Sequence, residues 1–248
     1  MPSHADYDNF AWLYNQEWTF FAEHIFPLYK HLAGDCLPKG GQVLDLCCGT
    51  GQLARILTEN GYKVTGLDIS AGQLRYAREN APNARFIKAD ARSFTLKQKF
   101  NAVFCTFDAL NHIMTLEDLT NVFRSVSACL AEGGIFVFDM ITKKEFETNF
   151  RGHREIKEKP GFFYTLHIEY EPEKRLGQFH CTLFRQYGKS WRRSDTLISE
   201  TFYSETQIRS ALKKAGITKI FTCAADPQNG IYPPDKNTRR VFYFARKA

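Results

Sequence analysis

The 248-residue sequence predicts an α/β protein built on a doubly wound, mostly parallel sheet of seven strands, with a small antiparallel sheet inserted into it. Three observations lead there. Residues 42–138 alternate short β-rich runs with amphipathic stretches that carry helix punctuation, the pattern of parallel strands joined by crossover helices. A glycine-rich turn joins the first such run to the first amphipathic stretch. After Asp139 the period shortens to the apolar/polar alternation of antiparallel strands. With 24% charged and 44% hydrophobic residues, 16 Gly and 9 Pro, the chain is neither disordered nor collagen-like.

The first 40 residues space aromatic and aliphatic side chains at helical intervals in AWLYNQEWTFFAEHIFPLYKHLAG, with Pro27 as the expected break. They are read as an N-terminal helical lid, packed against the sheet or closing over a pocket. QVLDLCC is the first strand, and QLARILTEN the first crossover helix, stopped by Gly61. KVTGLDI follows as a strand, Ser70 caps the helix AGQLRYAREN, and Pro82 ends it before the strand ARFIKAD. FNAVFCTF is the fourth strand. Thr115 and Asp118 form a capping box for EDLTNVFRSVSACLAEGG, whose paired glycines end the helix before the strand IFVFDM.

TKKEFETNF reads as helical; FFYTLHIEY, GQFHCTLFRQY and the stretch from Trp191 to Tyr203 read as three antiparallel strands. Residues 151–203 would thus be an inserted β subdomain, flanked by a ligand-binding α/β domain of residues 41–150 and 204–248. Ser204 and Gln207 make a second capping box, Gly216 stops that helix, and the strands ITKIFTC and VFYFARK close the sheet.

No stretch approaches the roughly 18 apolar residues of a membrane span, and the start MPSHADYDNF has no signal-peptide pattern, so a cytoplasmic protein without a membrane partner is expected. The seven cysteines show no C-x-x-C pair or zinc spacing; buried free thiols and no metal are expected. The net charge of +6 is concentrated in residues 151–193, where basic residues outnumber acidic ones by five. That excess suits an anionic acceptor or a solvated edge. No added nucleic-acid module is visible, so a nucleic-acid partner is not expected; a homodimer is compatible with the sequence.

The chemistry lies in VLDLCCGTGQLA: a strand, a turn with Gly49 and Gly51, and a helix start. Asp68 ends the next strand 19 residues beyond Gly49, the spacing of a carboxylate that takes ribose hydroxyls. In a parallel sheet the carboxyl ends of the strands share one edge, so Asp45, Gly49, Gly51, Asp68, Asp90 and Asp108 should gather at one site. The turn alone, G-x-G-x-x-A, also fits dinucleotide-binding folds.

Its surroundings are more specific. With LDLCCGTG, VTGLDIS, FIKADAR, FNAVFCTFDALNHI and LAEGGIFVFD in order, the chain resembles the class I S-adenosylmethionine-dependent methyltransferases over residues 40–140. The resemblance implies a Rossmann-like sheet whose last strand is antiparallel. It also implies a bed for S-adenosylmethionine, released as S-adenosylhomocysteine. Asp45 would hold the turn or a water near the methionine amino group; Cys47, Gly49 and Gly51 would border the methionine portion. Asp68 would take the ribose hydroxyls, Ile69 would lie against the adenine, Asp90 and its neighbour Ala91 would receive the adenine, and Phe107 would line the methyl side. Cys47 and Cys48 also read as small space-fillers. The donor carries no phosphate, and the turn has no Lys or Arg before Arg55, in mild agreement.

Such a donor is already activated, so the protein must align the reactants and exclude water. A base, where one is needed, would be His112, Asp108, or Tyr7 or Tyr14 from the lid. The placement of the insertion is similar to that in sugar N-methyltransferases and glycine/sarcosine methyltransferases, which implies a small-molecule N or O acceptor. An RNA or protein acceptor, and a non-catalytic cofactor-binding regulator, are the alternatives.

Overall fold

The computed structural model describes residues 4–226 and 230–247. Two helices, α1 (His4–Glu17) and α2 (Phe20–Ala33), precede the sheet. The α/β frame comprises β1 (Gln42–Leu46), α3 (Gln52–Glu59), β2 (Lys63–Asp68), α4 (Ala71–Asn80), β3 (Arg85–Lys88), β4 (Phe100–Cys105), α5 (Leu116–Cys129) and β5 (Leu130–Ile141). After a short helix, α6 (Lys143–Glu145), come β6 (His153–Lys159), β7 (Phe162–Glu171), β8 (Leu176–Tyr187) and β9 (Ser190–Thr201). The chain closes with α7 (Glu205–Lys214), β10 (Ile217–Asp226), β11 (Gly230–Tyr232) and β12 (Arg240–Lys247).

Among the described residues the main sheet has eight strands in the order β11-β10-β12-β5-β4-β1-β2-β3, and β12 runs antiparallel to both of its neighbours. Seven were expected. The eighth, β11, is the Pro/Gly-rich loop folding back so that Ile231 pairs with Ala225. Strand order reverses on either side of β1 and β4, which opens a crevice at their carboxyl ends. Alternation along the buried strands feeds two cores. Leu44, Leu46 and Val103 pack with α5 and α7 residues such as Phe123 and Leu212. Val43, Ala102 and Phe104 pack with α2 and α3 residues such as Tyr29 and Leu57.

The caps at Ser70, Thr115 and Ser204 each accept a hydrogen bond from the amide three residues on, and Ser204 and Gln207 close the reciprocal box. Three local expectations are corrected. Helix α2 runs through Pro27; the break falls between Glu17 and Phe20, because burying Ala22, Ile25 and Tyr29 on one face outweighs the one lost bond. Helix α5 ends at Cys129, and Gly133 and Gly134 lie inside β5 as a bulge, where the register jumps from Phe100/Leu130 to Ala102/Ile135. The inserted sheet has four strands, in the order β6-β7-β8-β9. The extra one, HREIKEK, is an edge strand whose charges hide its alternation.

Asn111, fully buried, joins the ends of that insertion: its amide donates to the carbonyls of Ile141 (3.1 Å) and Thr201 (2.8 Å) and accepts from the Ile141 amide. Helix α1 lies between α4 and the inserted sheet. Asp8 accepts from Ser70 Oγ (2.5 Å) and the Gly72 amide (2.8 Å) on one side, and Glu17 pairs with Lys157 and Lys159 on the other. The seven cysteines are free thiols. No helix among the described residues is long and apolar enough to cross a membrane.

Gly51, with φ of 83°, packs so closely on α4 that a Cβ would lie 2.9 Å from Ala77 Cα. Gly51→Ala should cost about 2–4 kcal/mol, strain plus overpacking, lowering Tm by roughly 5–15 °C. Gly61→Ala, at a φ of 85° with open space around it, should cost only about 1 kcal/mol. Equal losses in thermal unfolding would refute the packing role of Gly51.

Candidate active site

The crevice contains a cavity of about 670 Å³. Its floor is made by the turns that leave the strand ends: Cys47 and Gly49 after β1, Asp68 and Ile69 after β2, Asp90 and Ala91 after β3, and Phe107 and Asp108 after β4. Tyr7, Phe10, Tyr14 and Trp18 of α1 form one wall; Glu200 on β9, His112 and Arg240 form another. The fold thus brings together eleven of the thirteen residues singled out in the sequence. Asp45 and Gly51 lie outside the lining: Asp45 accepts a hydrogen bond from the Ala54 amide at the start of α3, and Gly51 faces α4.

The glycine turn depends on left-handed backbone at Cys47, Gly49 and Gly51, with φ of 56°, 52° and 83°. Asp68 secures it, accepting from the Gly49 amide (2.9 Å) and the Ser70 amide (2.9 Å). Burial raises the Asp68 carboxyl above its ordinary range, and these amides pull it back down. Asp90 is held by Arg92, with Oδ2 2.6 Å from the guanidinium.

A second pair of left-handed residues, Phe107 and Asp108 (φ 60° and 49°), follows β4. Asp139, fully buried on β5, fixes them: its carboxylate accepts from both amides, at 2.8 and 3.0 Å, and from the Tyr29 hydroxyl at 2.7 Å. Arg240 pairs with both Asp139 and Asp108, the latter at 2.7 Å, and its guanidinium lies 4.9 Å above the ring of Phe21, which stacks on Phe107.

His112 Nδ1 is 3.1 Å from the Ser199 carbonyl, which places the ring proton there and leaves Nε2 bare, 3.5 Å from Glu200 Oε1. Burial lowers the His112 pKa, so the ring is neutral near pH 7. Burial, with the charges of neighbouring carboxylates, holds the phenols of Tyr7 and Tyr14 well above their usual value. Both therefore face the cavity as rings and hydroxyl donors, not as phenolate bases. Asp108, His112 and Glu200 offer ligand atoms within 4.8 Å of one another, a set with metal-ligand chemistry, although Arg240 already pairs with Asp108.

Asp139, Glu200 and Arg240 were not anticipated as site residues. Asp139 had a readable signal, a carboxylate inside the apolar run IFVFDMI. Glu200 and Arg240 had none, since charged residues beside strands are ordinary.

Residues 43–134 match a family model described as a methyltransferase domain. A Bacillus subtilis (strain 168) protein, YqeM, whose own assignment as a methyltransferase is provisional, is 26% identical over all of this chain and 93% of its own length. The dTDP-3-amino-3,4,6-trideoxy-alpha-D-glucopyranose N,N-dimethyltransferase of Streptomyces venezuelae is 31% identical over 55% of this chain and 56% of its own. Among solved structures, an S-adenosylmethionine-dependent methyltransferase from Clostridium acetobutylicum superposes with a TM-score of 0.80, at 23% identity, over 98% of this chain and 99% of that one. Residues 43–134 are thus a methyltransferase domain, and the chain as a whole has the fold of S-adenosylmethionine-dependent methyltransferases.

Asp45 is buried with Oδ2 unpartnered, and burial together with the charge of Asp68 raises its pKa to about 8. The folded state therefore keeps a proton that the unfolded chain loses near pH 4, so this group withdraws stability as pH rises from about 4 to about 8. Asp45→Asn should remove that loss. Chemical denaturation should show the variant gaining on the wild type by at most about 1.4 kcal/mol per pH unit across the window. Parallel pH profiles would contradict the assignment.

Proposed function

We propose that the protein transfers a methyl group from S-adenosylmethionine, in line, to a nitrogen or oxygen of a small-molecule acceptor enclosed beneath α1. The observation that carries this reading is one cavity lined by Asp68, Ile69, Asp90, Ala91 and Phe107 together with His112, Asp108 and Glu200. The amino-sugar substrate in the name of the Streptomyces venezuelae relative supports a small acceptor.

The residues present fit the cofactor. Asp68 would take the ribose hydroxyls, Asp90 and Ala91 would border the adenine, and Ile69 would supply an apolar face; all four line the cavity. Gly49 and Gly51 shape the turn beside the methionine portion, and the unpartnered Oδ2 of Asp45 is available behind it to a water or an ammonium. When bound, the cofactor supplies a methyl group on a sulfonium sulfur. The chain does the rest: the aromatic wall of α1 excludes water, Phe107 and Asp108 are fixed by Asp139, and His112 presents a bare nitrogen able to take a proton. Most of the basic excess of the insertion is engaged elsewhere: Lys157 and Lys159 hold Glu17, Arg193 pairs with Asp195, and Arg185 lies 4.0 Å over the Trp12 ring. The reading carries a cytoplasmic setting, in keeping with seven free thiols.

Calorimetric titration with S-adenosylmethionine, S-adenosylhomocysteine and NADH tests the donor. The first two should bind and NADH should not, and Asp68→Ala should weaken donor binding about 10- to 100-fold. Binding of NADH alone would overturn the reading.

A further inference from the structure

We propose that Glu200 selects an amine acceptor, receiving it as an ammonium ion and taking its proton; this assignment rests on the methyl-transfer reading of the same cavity. Glu200 is 4% exposed, lines the cavity, and its Oε2 has no hydrogen-bond partner. Its other oxygen lies 3.5 Å from His112 Nε2, and the charges around the carboxyl are those of Asp108, Arg240 and Glu145. The neighbouring carboxylates are already served, since Arg240 pairs with Asp108 and Asp139, and Arg239 lies 3.8 Å from Glu145. Tyr7, the remaining titratable group facing Glu200 across the cavity, also has an unpartnered hydroxyl.

A buried carboxylate oxygen with no donor is costly, and the cost is removed by a ligand that brings donors and positive charge. An alkylammonium brings three N–H donors and a full charge; an alcohol brings one donor and none. A divalent metal would have to share Asp108 with the guanidinium of Arg240, so like-charge repulsion favours the softer, monovalent ammonium. The rings of Tyr7, Phe10, Tyr14 and Trp18 supply faces that suit a methylated ammonium as it forms.

The step balances. One N–H bond of the ammonium breaks, its electron pair stays on nitrogen, and the proton passes to Oε2 of the Glu200 carboxylate, with bare Nε2 of His112 beside it as the next acceptor. Burial, together with the charge of Asp108, holds the empty site's Glu200 carboxyl well above its usual range. The charge of a bound ammonium would draw that carboxyl back down toward its usual range, so amine binding and proton release are linked.

The test uses cyclohexylamine and its uncharged isostere cyclohexanol, titrated into the full-length protein with and without S-adenosylhomocysteine, in buffers of different ionisation enthalpy. Cyclohexylamine should bind at least about tenfold more tightly than cyclohexanol and release protons on binding. In Glu200→Gln both the preference and the proton release should vanish, while affinity for S-adenosylhomocysteine stays as in the wild type, which also shows that the variant folds. Equal binding of the two probes, no binding of the amine, or a preference that survives in Glu200→Gln would overturn the proposal. So would a stoichiometric Mn²⁺ or Zn²⁺ site that requires Glu200 and shows no amine preference. Loss of S-adenosylhomocysteine binding by the wild type would count instead against the donor assignment, because the amine arm without it is read independently.

Discussion

One buried carboxylate, that of Asp139, ties the site together. It accepts from the hydroxyl of Tyr29 on α2, from the amides of Phe107 and Asp108, and from the guanidinium of Arg240 at the start of β12. Left-handed backbone at two consecutive non-glycine residues costs of order 1–3 kcal/mol each, and two amides aimed at one fixed anion offset that strain. Without Asp139, Phe107 would lose its aim into the cavity, Arg240 would lose half of its counter-charge, and the loop carrying His112 would lose its anchor at the edge of the sheet.

The other half of the site follows from close backbone approach. Asp68 holds the glycine turn from one side, and α1 closes from the other, where the absence of a side chain at Gly72 lets Asp8 reach within bonding distance of the α4 amino end. Helix α1 is thereby tied at Asp8 to the α/β frame and at Glu17 to the inserted sheet. The aromatic wall it carries is therefore positioned by polar contacts at both ends.

The α/β frame was legible because its signals are local. Ser70, Thr115 and Ser204 cap helices where they stand, and Gly61 and Gly216 end them. The gathering of Asp68, Ile69, Asp90, Ala91 and Phe107 around one cavity was legible because a parallel sheet converts spacing along the chain into proximity at one edge. What was not legible depends on partners distant in sequence. The continuation of α2 through Pro27 is decided by the sheet face it buries. The bulge at Gly133 is decided by its pairing with β4. The functional weight of Glu200 is decided by His112 and Arg240, which meet it only after the insertion folds back.

Asn111 gives this architecture an evolutionary handle. By bonding to both Ile141 and Thr201, it brings the two ends of a 59-residue excursion to one point at the rim of the sheet. Everything between those ends behaves as a cassette with a fixed socket. In the proposed function its last strand delivers the acceptor-facing carboxylate, Glu200, while the residues assigned to the donor stand upstream. Recombination or drift within the cassette can therefore change one wall of the cavity without disturbing the strand-end turns that make its floor.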